Sequence, residues 1–352
     1  MTRDLSNLVM QAQAGDERAA ARLMTTMTDQ PHRLAEMLSG SRDWPTPRIV
    51  LGITGAPGSG KSTLTDQVAT EYRKRYPDRR LGIIAVDPSS PFTGGAVLGD
   101  RVRMMRHATD PKVFIRSLAS RGHLGGLALG ARGVARVMGL IGCDTVLIET
   151  VGVGQSEVEI AQNADIVAVV LAPGQGDSIQ MLKAGLMEAG DLFVVNKADR
   201  DGAHALHQQL LASLQLSWTA SVDLHHDALA CHGVMQQIQS PLATGPEHVR
   251  AEAPPVYLTS AANGTGVTAL VDGLEAITQQ MQDVWRIRRL QQLEDELRES
   301  LFETVRRRVG QVMGTNGKAQ VRLRRVLDGQ ATIDDLADEL LNQIVKEQTH
   351  VR

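Results

Sequence analysis

Short unbroken apolar runs alternate with longer stretches whose apolar positions recur three or four residues apart. Seven runs stand out: Arg48 to Thr54, Leu81 to Val86, Val113 to Ser117, Asp144 to Ile148, Ile166 to Leu171, Leu192 to Val195 and Val256 to Thr259. They lack the strict in-out alternation of a strand with one wet face. Each is expected to be a strand buried on both sides, as in a parallel sheet. Between the runs, Ser62 to Tyr76 carries Leu64, Val68 and Tyr72 one helical turn apart. Gly126 to Ile141 is a helical stretch rich in small residues. Strand and helix in turn predict an α/β fold with a mostly parallel sheet flanked by helices.

The two ends have a different pattern. In Met1 to Gly40, Leu5, Leu8, Val9, Ala19, Leu23, Met27, Leu34, Met37 and Leu38 recur at helical spacing, interrupted at Gly15-Asp16. Ser41 to Pro47, with two prolines, is expected to be a linker. After Gln282 the sequence predicts charged amphipathic helices over Trp285 to Arg308 and Thr332 to Val345, with a break at Gly310 to Gly317. The expected organisation is an N-terminal helical extension and linker (1–47), a nucleotide-binding domain (48–281) and a C-terminal helical appendage (282–352). Leu293, Leu297, Leu301 and Val305 form a narrow stripe along the first C-terminal helix. It calls for burial against the same chain or a second copy.

Composition narrows the classes. In 352 residues, 37 Lys and Arg face 40 Asp and Glu, for a net charge of −3, which gives no electrostatic case for nucleic acid or an anionic membrane. Cys143 and Cys231 form neither a metal spacing nor a disulfide framework and suit a reducing compartment. No apolar run approaches membrane-spanning length and no signal-peptide segment opens the chain, so a cytoplasmic location is expected. The histidines, including His204, His207, His225 and His226, show no metal-ligand spacing.

The chemistry concentrates at the ends of the runs. Gly55-Ala56-Pro57-Gly58-Ser59-Gly60-Lys61-Ser62 follows the first run and opens the first helix, matching G-x-x-x-x-G-K-[ST]. Glycines let backbone N–H groups wrap a polyphosphate, and the helix points its positive dipole end at it. Lys61 can reach the β- and γ-phosphates, the Ser62 hydroxyl can ligate Mg²⁺, and Thr63 continues the helix start. Asn196-Lys197-Ala198-Asp199 ends the sixth run and fits N-K-x-D. A carboxylate there accepts the ring N–H and the exocyclic amine of guanine, whereas adenine leaves it unpaired. Ser260-Ala261-Ala262 suits a backbone contact to guanine O6. GTP and GDP are the nucleotides expected.

Asp87, Asp100 and Glu149 follow strands and join Ser62 as candidate oxygen donors around Mg²⁺, each with the alternative of a helix cap or loop acid. Arg103 either offsets charge building on the phosphates or is a surface arginine. Gly152 stands where GTPases place a switch glycine, and Gln155, three residues on, leaves the water-positioning group open.

Several of these segments resemble one family. Val86 to Arg101, Arg116 to Gly126, Glu149 to Glu157 and Val194 to Asp199 are similar to methylmalonyl-CoA mutase-associated GTPases of the MeaB, MMAA and ArgK type, in the SIMIBI class of P-loop GTPases. Ala56 stands where the ParA/MinD branch of that class carries its signature lysine. The resemblance implies a chaperone of a cobalamin-dependent acyl-CoA mutase that gates adenosylcobalamin delivery, protects the mutase and couples both to GTP hydrolysis. It also implies a third switch loop at Gly174 to Lys183 and a homodimer held by C-terminal helices. A metallochaperone GTPase or a small-molecule kinase is the competing class.

Overall fold

The computed structural model describes residues 2–30, 46–88, 105–107, 109–120, 126–150, 163–174, 190–230, 253–280 and 288–290. In the C-terminal part it describes 292–294, 297–298, 301–302, 304–306, 308–310 and 318–339. The chain divides into two compact units, Met1–Leu290 and Gln291–Arg352.

All seven apolar runs are strands: β1 (Ile49–Gly55), β2 (Arg80–Pro88), β3 (Val113–Ser120), β4 (Cys143–Thr150), β5 (Ile166–Leu171), β6 (Leu192–Val195) and β7 (Val256–Leu258). They form one sheet in the order β3-β2-β4-β1-β5-β6-β7. Every strand pair in it is parallel. β1 lies at the centre, where the strand order reverses, with Ile53 beside Glu149 of β4 and Gly55 beside Val170 of β5. A crevice beyond the carboxyl ends at such a reversal is where open α/β sheets bind ligands.

The two-residue period of a strand assigns each side chain to one of two cores. On β5, Ile166, Ala168 and Val170 join one, and Val167, Val169 and Leu171 the other. The first core is completed by α3 (Lys61–Arg75) through Leu64, Val68 and Tyr72, and by α6 (Val267–Gln280) through Leu270, Val271 and Leu274. The second is completed by α4 (Gly126–Leu140) and α5 (Ala203–Ala230).

The N-terminal helices α1 (Thr2–Gln13) and α2 (Glu17–Asp29) share this second core through Leu5, Val9, Leu23, Met24 and Met27. The interruption between them has a local cause. The Asp16 carboxylate caps α2, accepting from Arg18 N at 2.8 Å and Ala19 N at 3.1 Å. The small residues of α4 admit α2 closely: a Cβ on Gly133 would lie 2.9 Å from Met27 Cβ.

In the second unit, α7 (Lys318–Leu327) is followed by a helical stretch at 333–339. Thr332 opens that stretch in a reciprocal cap with Asp335: Asp335 N donates to Thr332 Oγ1 at 3.1 Å, and Thr332 N donates to Asp335 Oδ2 at 2.8 Å. Leu293, Leu297, Leu301 and Val305 are exposed, at 50%, 60%, 57% and 43%. No helix among the described residues is long and apolar enough to cross a membrane.

Candidate functional site

β1 delivers the chain into a loop that only glycine can form at two points. Gly55 has φ +139, and a Cβ there would sit 2.0 Å from Val170 O. Gly60, the N-terminal cap of α3, has φ +91, and a Cβ would sit 2.5 Å from Asn196 Nδ2. Ala56 and Ser59 are buried, whereas Pro57 and Gly58 face out and Thr63 is exposed on α3.

Lys61 is buried, and its Nζ donates to Gly55 O at 2.6 Å and Ala56 O at 2.9 Å. Ser62 Oγ donates to the buried Glu149 Oε1 at 2.5 Å. The two residues come from the start of α3 and the end of β4, so the central strands bring the loop and the acid together. The one hydroxyl proton of Ser62 goes to Glu149, which leaves its lone pairs to face a cation. A hydroxyl and a carboxylate are hard oxygen donors of the kind Mg²⁺ takes. Thr54 Oγ1, Ser59 Oγ and Thr150 Oγ1 are buried around this junction with no hydrogen-bond partner. A polyphosphate with its cation therefore fits the donor set: glycine cradle, ammonium, hydroxyls and carboxylate.

The base-binding side is built around Asn196, at the end of β6 and 1% exposed. Its Nδ2 donates to Ser59 O at 2.9 Å, and its Oδ1 accepts from Ala261 N at 3.0 Å and Thr259 Oγ1 at 3.3 Å. One side chain thus ties the phosphate loop to the loop after β7. Lys197 follows with φ +60, the one positive-φ residue other than glycine among those described, and its Nζ donates to Gly58 O at 2.5 Å. A left-handed non-glycine residue costs about 1–2 kcal/mol, a strain that collects at functional sites.

Asp199 is exposed, and its Oδ1 accepts from Ser260 Oγ at 2.5 Å. That hydrogen bond, first among the causes, holds its carboxyl below the ordinary carboxylate value. Asp199 is therefore an ionised acceptor facing solvent. Ala261 is buried beside it and Ala262 is exposed in the turn.

The structure thus gathers Gly55 through Ser62, Glu149, Asn196, Lys197, Asp199, Ser260 and Ala261 at the carboxyl edge of the sheet. The backbone of Asp87 lies near the end of β2, paired with Ala119. Asp100, Arg103, Gly152, Gln155 and residues 175–183 of the third switch loop lie outside the described residues.

Two features have no counterpart in the sequence motifs. Gln67 Nε2 donates to Ala261 O at 3.0 Å. Asp66, buried on α3, accepts from Arg106 Nε at 2.6 Å, with His107 Nε2 at 3.1 Å from its Oδ1. Burial, first, and the Arg106 charge hold the His107 pKa below its ordinary 6.5. With Arg106 already neutralising Asp66, His107 is a neutral imidazole. Nothing in the sequence marked this cluster, because an acid at position 66 looks like any other polar residue of a helix.

Fold and site define a P-loop nucleotide-binding protein with a guanine-type base loop. A family model for "Methylmalonyl Co-A mutase-associated GTPase MeaB" matches residues 21–315, and the chain belongs to that family. A protein of Pyrococcus abyssi named as a GTPase is 49% identical over 212 residues, 60% of this chain and 65% of its own length. GTPase ArgK of Escherichia coli is 38% identical over 201 residues, 56% of this chain and 60% of its own. The methylmalonic aciduria type A homolog of Caenorhabditis elegans is 40% identical over 151 residues, 43% of this chain and 38% of its own. The match thus spans less than two thirds of these relatives. A crystal structure titled LAO/AO transport system kinase shares the fold, with TM-score 0.59, 23% identity and coverage of 98% of this chain and 97% of that one.

Proposed function

We propose that this chain is a Mg²⁺-dependent GTPase that hydrolyses GTP to GDP and phosphate. The observation that carries the nucleotide choice is the ionised Asp199 carboxylate, set by Ser260 beside the Asn196 brace. A guanine edge offers two N–H donors to such a carboxylate, and an adenine edge does not. At the phosphate end, Lys61 exchanges its two loop carbonyls for β- and γ-phosphate oxygens. Ser62 and Glu149, with Asp87 and Asp100, hold Mg²⁺, which when bound supplies charge neutralisation on the phosphates. Arg103 adds to that neutralisation, and the Gly152 N–H meets the γ-phosphate.

Calorimetry with GTP and ATP tests the reading. GTP is expected to bind more tightly, and Asp199→Asn is expected to lose GTP and accept xanthosine triphosphate. Equal affinity of the unaltered protein for ATP and GTP overturns it.

We further propose that the GTPase is a cytoplasmic chaperone of a cobalamin-dependent acyl-CoA mutase of the methylmalonyl-CoA mutase type, coupling adenosylcobalamin loading and mutase protection to hydrolysis. The family to which the chain belongs supports this, because that family is named for its association with the mutase. In this proposal residues 48–281 are the GTPase domain, 1–47 a helical extension and 282–352 a dimerisation appendage. Co-elution of the purified chain with such a mutase, gained or lost between GDP and a non-hydrolysable GTP analogue, is the expected result. No co-elution in either state overturns the chaperone role.

A further inference from the structure

The peptide of Ala261 is held at both polar groups by side chains from the phosphate-binding half of the site. Its N–H donates to Asn196 Oδ1 and its C=O accepts from Gln67 Nε2, each at 3.0 Å. Asn196 reaches back to Ser59 of the phosphate loop, and Gln67 stands in the second turn of α3, the helix that Lys61 and Ser62 open. Gln67 belongs to neither the phosphate nor the guanine motif. We propose that Gln67 is a positioning residue for guanine recognition, fixing the loop after β7 so that Ser260 sets Asp199 for the base. This rests on the GTP reading above.

The physical chain is short. Ala261 is buried, so its carbonyl has no water to turn to when the Gln67 amide is removed. The loop that carries it is closed on itself, with Ser260 N donating to Thr265 O at 2.9 Å and Gly264 N to Ser260 O at 2.8 Å. A closed loop in search of a new donor moves as a body and takes Ser260 with it. Asp199 then loses the hydroxyl that orients it. Because Gln67 is rooted in α3, the same contact couples the phosphate end of the site to the base end.

The alternative, a side chain that merely fills space, predicts a loss of stability without a change in base preference. Two variants separate these. Gln67→Met keeps the length and removes the donor; Gln67→Lys keeps a donor. Calorimetry with GTP, ATP and inorganic tripolyphosphate, all with Mg²⁺, is paired with steady-state hydrolysis. Loss of one buried hydrogen bond is expected to weaken GTP binding to Gln67→Met by about tenfold. Tripolyphosphate should bind as to the unaltered protein, and the preference for GTP over ATP should fall by the same factor. KM should rise with kcat unchanged, and Gln67→Lys should recover most of the loss. Undiminished GTP affinity in Gln67→Met overturns the inference, and so does an equal loss for tripolyphosphate. Equal binding of ATP and GTP by the unaltered protein overturns the guanine reading instead, and it is seen before any variant is made.

Discussion

Replacing Asn196 by alanine is the most informative single change, because one buried side chain ties the phosphate loop to the loop after β7. The variant leaves Ser59 O, which now receives Nδ2 at 2.9 Å, and Ala261 N, which now donates to Oδ1 at 3.0 Å, without partners in a buried site. The contacts at 3.3 Å to Thr259 Oγ1 and 3.5 Å to Gly60 O are longer and are counted as zero. Each orphaned buried group costs about 1–3 kcal/mol, so two of them cost about 2–6 kcal/mol less whatever the loops recover by shifting toward water. We predict a net loss of about 3 kcal/mol. For a domain of this size that lowers the melting midpoint by roughly 5–10 °C. Scanning fluorimetry of the nucleotide-free protein measures it, with GTP calorimetry in parallel. Asn196→Asp is the control: it keeps the acceptor for Ala261 N but sets a carboxylate oxygen against Ser59 O, so it should be no better than alanine. A midpoint within about 2 °C of the parent, with GTP affinity intact, would refute the brace.

Lys61→Ala should abolish GTP hydrolysis while circular dichroism stays unchanged; turnover equal to the parent sinks the phosphate role of Lys61. His107 is buried neutral, so its folded pKa lies below the unfolded 6.5, and on acidification the unfolded chain takes up the proton first. Stability should therefore fall as pH drops from about 7.5 to about 5.5, with Arg106 and Arg73 opposing the new charge and Asp66 and Asp110 favouring it. A His107→Gln protein with the same pH slope in urea melts contradicts this. In the proposed dimer the exposed stripe Leu293, Leu297, Leu301 and Val305 is covered by a second copy, so deleting 291–352, which spares Arg288 and Arg289, should yield a monomer that still binds GTP. Light scattering that finds the full chain monomeric at tens of micromolar, roughly where an obligate interface persists, rules the dimer out.

The fold was legible where one physical effect dominated. Continuous apolar runs gave the seven strands, since a parallel sheet buried on both faces needs no alternation, and Gly15-Asp16 marked the interruption between two helical stretches. α5, at Ala203–Ala230, was not foreseen: Gly202 and the His204 to Gln209 stretch offered no clean apolar stripe, and β6, β7 and the second core decide its place. In the site, the glycines, Lys61 and Ser62 were legible because phosphate binding restricts residue type along a contiguous stretch, and Asn196 because it opens the N-K-x-D guanine motif. Gln67 and Asp66 were not, because their partners Ala261, Arg106 and His107 are remote in sequence and any amide or acid at those positions looks like an ordinary helix residue.

The opposite edge of the sheet explains why the site can be this closely built. The strands that carry Gly55 and Asn196 must not slip, since a shift of one residue exchanges the faces of every side chain. Asp165, just before β5, takes the N–H of Val50 on its Oδ2 at 2.8 Å, and its own N–H donates to Val50 O at 2.8 Å. Asp191, just before β6, does the same to Val167, at 2.7 and 2.8 Å. Both acids are buried and both meet a two-pronged guanidinium. Arg289 grips Asp165 at 2.8 and 2.9 Å, and Arg288 grips Asp191 at 2.8 and 3.0 Å. Burying a carboxylate costs several kcal/mol in desolvation, so such pairs contribute little net stability. What they do supply is position. β1 is registered on β5 and β5 on β6 by side-chain clamps that no other register satisfies. At the far ends of the same strands, Gly55 then rests against Val170 O and Asn196 against Ser59 O, contacts that leave no room for a slipped strand.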